Sequence, residues 1–265
     1  MKKLFLILVL LSVMGCRHPE HLSDQLQSAR WIDLTHDFDT NTVYWPTDEP
    51  YRHDTVFYGM TEKGYFYSSF KYAAEEHGGT HFDAPVHFCQ GQHFIHQVPV
   101  GQLHGPGVIV DVTRQSAGNR DYLISVADLE NWEKQHGKIP DGAIILLNTG
   151  FAKYWDDHLK YTGTLKKGTE GVAELHFPGL DPGTAKWLVE NRKINAIGLD
   201  TPSIDYGQSK DFQTHRILCA AGLTMYENVA NLDLLPAEGA YIVALPMKIK
   251  GGSGSPLRIV AIIGN

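Results

Sequence analysis

Short runs of apolar and polar residues alternate along most of this chain, and they predict strands more often than helices. WIDLTHDF (31–38) reads as an early strand and turn. YFYSSFKYAA (65–74), alternating and rich in aromatic residues, reads as a second strand. GVIVDV (107–112) and AIILLNTG (143–150) are near-continuous apolar runs, as expected of buried strands. NAIGLDT (195–201), LTMYENV (223–229), AYIVALP (240–246) and LRIVAII (257–263) add four more, the last two joined by a glycine-serine loop. Three segments carry helix signals. SVADLENWEKQHG (125–137) opens on a Ser125–Asp128 capping box and closes at Gly137. LDPGTAKWLVENR (180–192) has Asp181 as N-cap and Pro182 at its first position. SKDFQTHRILCAAG (209–222) is shorter and ends at Gly222. TVYWPTDEPY (42–51) is an aromatic loop broken by Pro46 and Pro50. Several strands follow one another directly, which predicts a mixed α/β domain rather than a regular doubly wound sheet.

Chemistry concentrates between two of these elements. The stretch EEHGGTHFDAPVHF spaces His77, His81, Asp83 and His87 as H-x3-H-x-D-x3-H. Imidazole and carboxylate are ligands that zinc and manganese accept. All four positions are odd, so an extended chain puts them on one face. A straight strand would still hold His77 and His81 about 13 Å apart, too far to share an ion. The chain must bend between them, and Gly78 and Gly79 tolerate the backbone angles a bend needs. Pro85 stops regular pairing before His87. The pattern predicts a metal site with a spare acid/base beside it.

Composition narrows the alternatives. With 265 residues, 43% hydrophobic and 20% charged, the chain has ordinary globular composition. A net charge of −7 without a basic run argues against nucleic acid as a partner. Neither a GxGxxG fingerprint nor a P-loop occurs, so neither a dinucleotide nor ATP is indicated.

The N-terminus is a separate matter. MKKLFLILVLLSVMGC has two lysines, an apolar run from Leu4 to Val13, then Gly15-Cys16. This predicts a signal peptide over residues 1–15, too short for a comfortable membrane span. The small residue before cysteine resembles a bacterial lipoprotein signal. In that reading Cys16 carries a lipid anchor, residues 16–30 form a polar tether, and residues 31–265 form the domain. Ordinary secretion with cleavage nearby is the alternative. The expected location is outside the cytoplasm: a cell-envelope lipoprotein facing the periplasm or held in the outer membrane. There Cys89 and Cys219 could form one disulfide, or remain two small buried thiols.

The histidine block HGGTHFDAPVHF resembles the signature of the metal-dependent cyclase-like hydrolases, a family that includes bacterial kynurenine formamidase and isatin hydrolase. FPGLDPGTAKWLVENRKINAIGLDTPSID (177–205) and THRILCAAGLTMYENVANLDLL (214–235) resemble its second and third blocks, and DLTHDFDTNTVYWPTDEP its opening strand and Trp-Pro loop. The likeness runs over roughly residues 31 to 263. It implies a single mixed-sheet domain of the swivelling β/β/α type, strands outnumbering helices. It implies His77, His81 and Asp83 as metal ligands and His87 as catalytic acid/base. It also implies His215 and Glu227 as ligands where two metals are bound, so one or two zinc or manganese ions per chain are expected. On one helix His215 and Glu227 would lie about 18 Å apart. They converge only if the chain reverses near Gly222. Trp45, Phe66 and Phe82 fall in segments the resemblance places near the pocket, where aromatic walls would suit a flat substrate. Dimers or tetramers are usual in the family.

The chemistry expected from this set is hydrolysis of a small amide, formamide, cyclic amide or ester. Water acidified by the metal attacks the carbonyl carbon while His87 shuttles a proton. The family-type reaction converts N-formylkynurenine to kynurenine and formate. Alternatives are hydrolysis of a cyclic amide or lactone of the isatin hydrolase type, a metal-dependent lyase or dehydratase, and a non-catalytic metal-binding lipoprotein.

Overall fold

The computed structural model describes residues 21–264. Its strands in chain order are β1 (Arg30–Asp33), β2 (Arg52–Met60), β3 (Phe66–Ala73), β4 (His81–Asp83), β5 (His104–Asp111), β6 (Leu123–Ile124), β7 (Ile144–Asn148), β8 (Gly179–Leu180), β9 (Ala196–Leu199), β10 (Thr224–Glu227), β11 (Ala240–Pro246) and β12 (Gly254–Ile263). The α-helices are α1 (Leu22–Ser28), α2 (Thr113–Gly118), α3 (Val126–His136), α4 (His158–Thr162), α5 (Gly168–Ala173), α6 (Pro182–Asn191) and α7 (Gln213–Ala220). The fold is mixed α/β, and strands outnumber helices among the described residues. None of the helices there is long and apolar enough to cross a membrane.

One long strand makes the architecture. β12 pairs antiparallel with β11 over Leu257–Ile263, with β1 over its last four residues, and with β4 over Gly254–Pro256. Because β4 also pairs with β10, the order β12-β11-β5-β7-β9-β10-β4 returns to β12 and closes a barrel. Pairing is parallel among β5, β7, β9 and β10 and antiparallel elsewhere in the ring. Side chains on successive strand positions point to opposite faces, and the core divides accordingly. Phe82, Ile109, Ile144, Leu146, Tyr226, Ile242 and Ile259 pack together as one fully enclosed cluster filling the barrel. Val108, Val110, Ile145, Leu147, Ile197 and Met225 face outward, where α3, α6 and α7 cover them with Leu129, Leu188 and Leu218. The expected helix signals are in place: Asp128 Oδ2 accepts from Ser125 N and Oγ, and Asp181 accepts from Gly183 and Thr184 N–H.

Three expectations change. Part of the predicted tether, Leu22–Ser28, is helical, and the Trp31 indole donates to Leu26 O at 2.9 Å. Residues 1–20, with the predicted signal peptide and Cys16, lie outside the described residues. β2 was invisible in the pattern because RHDTVFYGM is exposed at nearly every position, so no face alternates. It pairs only with β3, and the two form a ribbon separate from the barrel sheet. β12 begins inside the glycine-serine loop, at Gly254.

Candidate active site

The barrel's outer face along β4 and β10, and the start of α7 opposite, bring the charged residues together. β4 lies between β10 and β12, with Glu227 directly across from His81 and Met225 across from Asp83. Strand parity therefore sends His81, Asp83 and Glu227 to the outer face and Phe82 and Tyr226 into the barrel. Gly79 adopts φ 59°, the bend the histidine spacing requires. Gly78 lies under the Tyr44 ring, where a Cβ would come within 2.0 Å of Cε1. After Asp83, the turn Pro85–His87 carries the last histidine back toward the others. α7 ends at Ala220, Gly222 takes φ 74°, and β10 returns, so His215 Nε2 stands 3.2 Å from Glu227 Oε1.

Three histidines converge on Asp83, each held by its far nitrogen. His81 Nδ1 lies 2.9 Å from the Gly79 carbonyl, leaving Nε2 3.3 Å from both Asp83 Oδ1 and Glu227 Oε2. His215 Nδ1 lies 2.6 Å from Asp205 Oδ2, leaving Nε2 3.3 Å from Asp83 Oδ2. His77 Nδ1 lies 2.7 Å from Asp83 Oδ1, and its Nε2 is 2.9 Å from Ser253 Oγ. A carbonyl or an ionised carboxylate can only accept, so the Gly79 and Asp205 contacts fix a proton on Nδ1 and turn Nε2 toward the carboxylates.

The electrostatics show a cluster short of positive charge. Burial opposes ionisation of Asp83, yet the flanking His77, His81 and His215 hold its carboxyl well below the usual range. Burial likewise opposes charge on His81, but Asp83 and Glu227 outweigh it and push the imidazole up to about 10. His215 rises well above its ordinary value against the same burial, through Asp205, Asp83 and Glu227. Without a cation the carboxylates draw protons onto the imidazoles, and a divalent metal would take their place. Among the described residues, two sets of ligand atoms lie within 4.8 Å of one another: His77, Asp83 and His87, and His81, Asp83 and Glu227. This donor set fits one or two divalent ions, with Asp83 common to both.

His87 differs from the rest. Its ring stacks on His77 with centroids 3.7 Å apart and an interplanar angle of 18°. Burial pushes it down to about 4, so it is neutral at pH 7. It stands at the edge of a cavity of about 310 Å³ whose walls include Tyr44, Trp45, Phe88 and Phe212 and whose floor includes His77, His81, His215 and Glu227. Asp48 and Glu75 also line this cavity, and among the described residues no Lys or Arg does.

Residues 32–206 match the Cyclase family, described as "Putative cyclase". The chain belongs to this family of metal-dependent hydrolases. It is 32% identical to the isatin hydrolase of Roseibium aggregatum over 71% of this chain and 72% of that protein. It is 30% identical to the kynurenine formamidase of Bacillus cereus over 89% of this chain and 98% of that one. Among solved structures, isatin hydrolase A from Labrenzia aggregata, bound to benzyl benzoate, superposes with a TM-score of 0.81 at 30% identity, covering 92% of this chain and 96% of that chain.

In this cyclase-family chain, His77, His81, Asp83, His87, His215 and Glu227 meet at one place, and Trp45 lines the cavity above them. Two expected substrate contacts do not. Phe82 is fully buried inside the barrel, on the face opposite its neighbours His81 and Asp83. Phe66 is 54% exposed on the β2–β3 ribbon and does not line the cavity. Residue-by-residue reading also missed several groups. Asp205 and Ser253 hold the far nitrogens of His215 and His77; Asp205 ends the block 177–205 with nothing in its spacing to mark the role, and Ser253, 176 residues from His77, gives no local signal. Phe212 caps α7 in the left-handed region at φ 50°, unusual for a bulky residue, and its ring stands 5.2 Å from Phe88 and 6.1 Å from Trp45 in the cavity wall. Cys89 and Cys219 form a disulfide with Cα atoms 5.8 Å apart, tying the turn after His87 to the helix of His215.

Proposed function

We propose that this protein hydrolyses the C–N bond of a small aromatic amide, as an arylformamidase or an enzyme of the isatin hydrolase type. The observation that carries the reading is the convergence of three histidines on Asp83 and Glu227 at the floor of an aromatic-walled cavity, which His77, His81, His215 and Glu227 line. His77, His81, Asp83, His215 and Glu227 would hold zinc or manganese, one ion or two. When bound, the metal would polarise the carbonyl and acidify water. Trp45, Phe88 and Phe212 form a continuous aromatic wall against which a flat ring would pack. His87, neutral at pH 7, takes a proton as water adds to the carbonyl carbon and returns it to the nitrogen as the C–N bond breaks. Water and amide thereby become an acid and an amine.

The family-type reaction is N-formylkynurenine to kynurenine and formate. The second reading is opening of a neutral cyclic amide. Asp48 and Glu75 in the cavity lining would repel a free carboxylate but would pair with the α-ammonium that N-formylkynurenine carries beside it, whereas a neutral cyclic amide brings neither charge. The test is turnover of N-formylkynurenine and of isatin by metal-stripped protein, before and after zinc or manganese is restored. Turnover of either substrate that vanishes on chelation and returns with metal supports the reading and chooses between its forms. Full metal occupancy with neither substrate consumed removes both.

The setting is proposed with the activity. The protein is an exported lipoprotein anchored through Cys16, and the Cys89–Cys219 disulfide suits an oxidising compartment outside the cytoplasm. It acts as a homo-oligomer, a second copy covering the β2–β3 ribbon. Nine large apolar side chains on or beside that ribbon, Phe57, Tyr58 and Phe66 among them, are 39% to 69% exposed. At on the order of 100 Å² each they offer roughly 900 Å², comparable to the ~800 Å² per partner of a stable interface. Light scattering on the protein from Arg17 onward should give a dimer or tetramer, and Tyr58→Asp with Phe66→Asp should give a monomer. A monomeric wild type would remove this part.

A further inference from the structure

The glycine-serine segment before β12 reads in sequence as a plain connector, yet it lies directly against a metal-ligand candidate. Gly254 sits so close to the His77 ring that a Cβ there would come within 2.4 Å of Cε1. Next to it, Ser253 Oγ stands 2.9 Å from His77 Nε2 and 2.8 Å from Glu76 Oε2. The same Glu76 oxygen accepts from Ser253 N at 2.8 Å and from Gly254 N at 3.2 Å.

We propose that Glu76 and Ser253 are positioning residues that fix the proton of His77 on Nε2 and so assign Nδ1 as its metal-binding atom. The inference rests on the metal-dependent reading above and adds the group that sets the geometry of its first histidine. Its logic is a count of donors. Backbone N–H groups only donate, so Glu76 Oε2, receiving two of them, is an acceptor. Ser253 has one hydroxyl proton, and it must point at that oxygen. The contact between Ser253 Oγ and His77 Nε2 is then a hydrogen bond only if Nε2 carries the proton. Nδ1 faces the ionised Asp83 at 2.7 Å, which is also only an acceptor, so in the metal-free protein Nδ1 carries a proton of its own, the one a metal bound there would displace.

His77 is thus the mirror image of its partners. His81 and His215 are pinned through Nδ1 and present Nε2; His77 is pinned through Nε2 and presents Nδ1. The other two anchors are a carbonyl two residues away and a carboxylate ten residues away. Here the anchor arrives from 176 residues further along the chain, immediately before the strand that closes the barrel. Glu76, adjacent to His77, clamps that segment onto the ring it serves.

Ser253→Ala separates orientation from anchoring, because Glu76 keeps its two backbone bonds to the loop. Zinc competition against a chromophoric chelator should show affinity weakened tenfold to a hundredfold, the usual effect of losing such a partner. The metal-free melting temperature should stay near the wild-type value, and Ser253→Thr should bind zinc as the wild type does. Long-range nitrogen–proton spectra of zinc-bound His77 should show the proton on Nε2 and none on Nδ1, in wild type and in Ser253→Thr. A proton on Nδ1 and zinc on Nε2, or a Ser253→Ala variant that binds zinc as tightly as wild type, overturns the assignment and leaves the metal-dependent reading standing. A wild type that binds no divalent metal at all overturns both.

Discussion

Asp205→Asn tests whether His215 works as a ligand held from behind. Asp205 receives four hydrogen bonds: Ser209 Oγ at 3.2 Å and Thr214 N at 3.1 Å on Oδ1, His215 N at 3.1 Å and His215 Nδ1 at 2.6 Å on Oδ2. Its carboxyl stays below the ordinary range although burial pushes the other way, because His215 donates to it. Asparagine keeps one acceptor oxygen and replaces the other with a donor. If the amide oxygen stays with His215, the NH2 faces the Thr214 N–H. If it turns to Thr214, the NH2 faces His215 Nδ1 and drives that proton to Nε2, the nitrogen that faces Asp83 and Glu227. Either pose leaves a buried donor against a donor, at about 1–3 kcal/mol. For a chain of this size that lowers the melting temperature by roughly 2–12 °C. Metal affinity should fall about tenfold to a hundredfold, about 1.4–2.7 kcal/mol. Both are read on one sample set, by chelator competition and by melting with and without zinc. An Asp205→Asn protein that melts lower yet binds zinc as wild type, while His215→Ala loses it, would refute the orienting role and leave Asp205 as a cap of α7.

Other perturbations separate the remaining roles. His87→Ala should keep its zinc and lose turnover by about 10²–10⁴-fold, the worth of a proton-transfer group; retained turnover assigns the proton step elsewhere. Metal-free protein should be most stable near pH 6.5, as urea midpoints would show. His81, raised to about 10, contributes stability present below its unfolded value and lost as pH rises through 10; His87, lowered to about 4, makes stability fall as pH drops from 6.5 to 4. A flat profile between pH 4 and 10 contradicts both shifts. Replacing Cys89 and Cys219 with serine should cost about 2–5 kcal/mol, given the 130-residue separation they bridge; an unchanged denaturation midpoint means the link adds no stability. Gly78→Ala should cost about 1–3 kcal/mol through overpacking against Tyr44, and a melting temperature equal to wild type would show that the ring moves aside freely.

What could be read from the sequence was what the chain holds locally. The H-x3-H-x-D-x3-H spacing, the two glycines and Pro85 lie within a dozen residues, so their geometry follows from strand parity and one bend. Once the resemblance makes His215 and Glu227 ligands of one site, helix rise demands a reversal near Gly222, and the structure places it there. The same parity rule should have excluded Phe82 from the pocket: it stands between His81 and Asp83 and must face the other way. Phe66 failed for a different reason. A strand exposed on both faces has no alternation, so neither β2 nor the direction in which the ribbon carries Phe66 was visible.

The residues that hold the histidines from behind follow a single physical rule. A ligand nitrogen is useful only when the other nitrogen of its ring is committed, and the groups that commit them come from different ranges of the chain. Gly79, two residues from His81, is local. Asp205 needs the α7 start to pack over β10, and Ser253 needs β12 to close on β4. Closure of the barrel and the anchoring of His77 therefore share one contact: the pairing of Gly254 with Asp83 joins the sheet and sets the Ser253–Glu76 pair against His77. No local pattern announces that pairing, since GGSGS is a loop by composition and becomes a strand start only when β4 supplies its partner. Metal affinity should accordingly respond to changes in the barrel seam as steeply as to changes in the ligands' own neighbours, which is why Ser253, remote in sequence and plain in type, belongs with the histidine block in any account of the site.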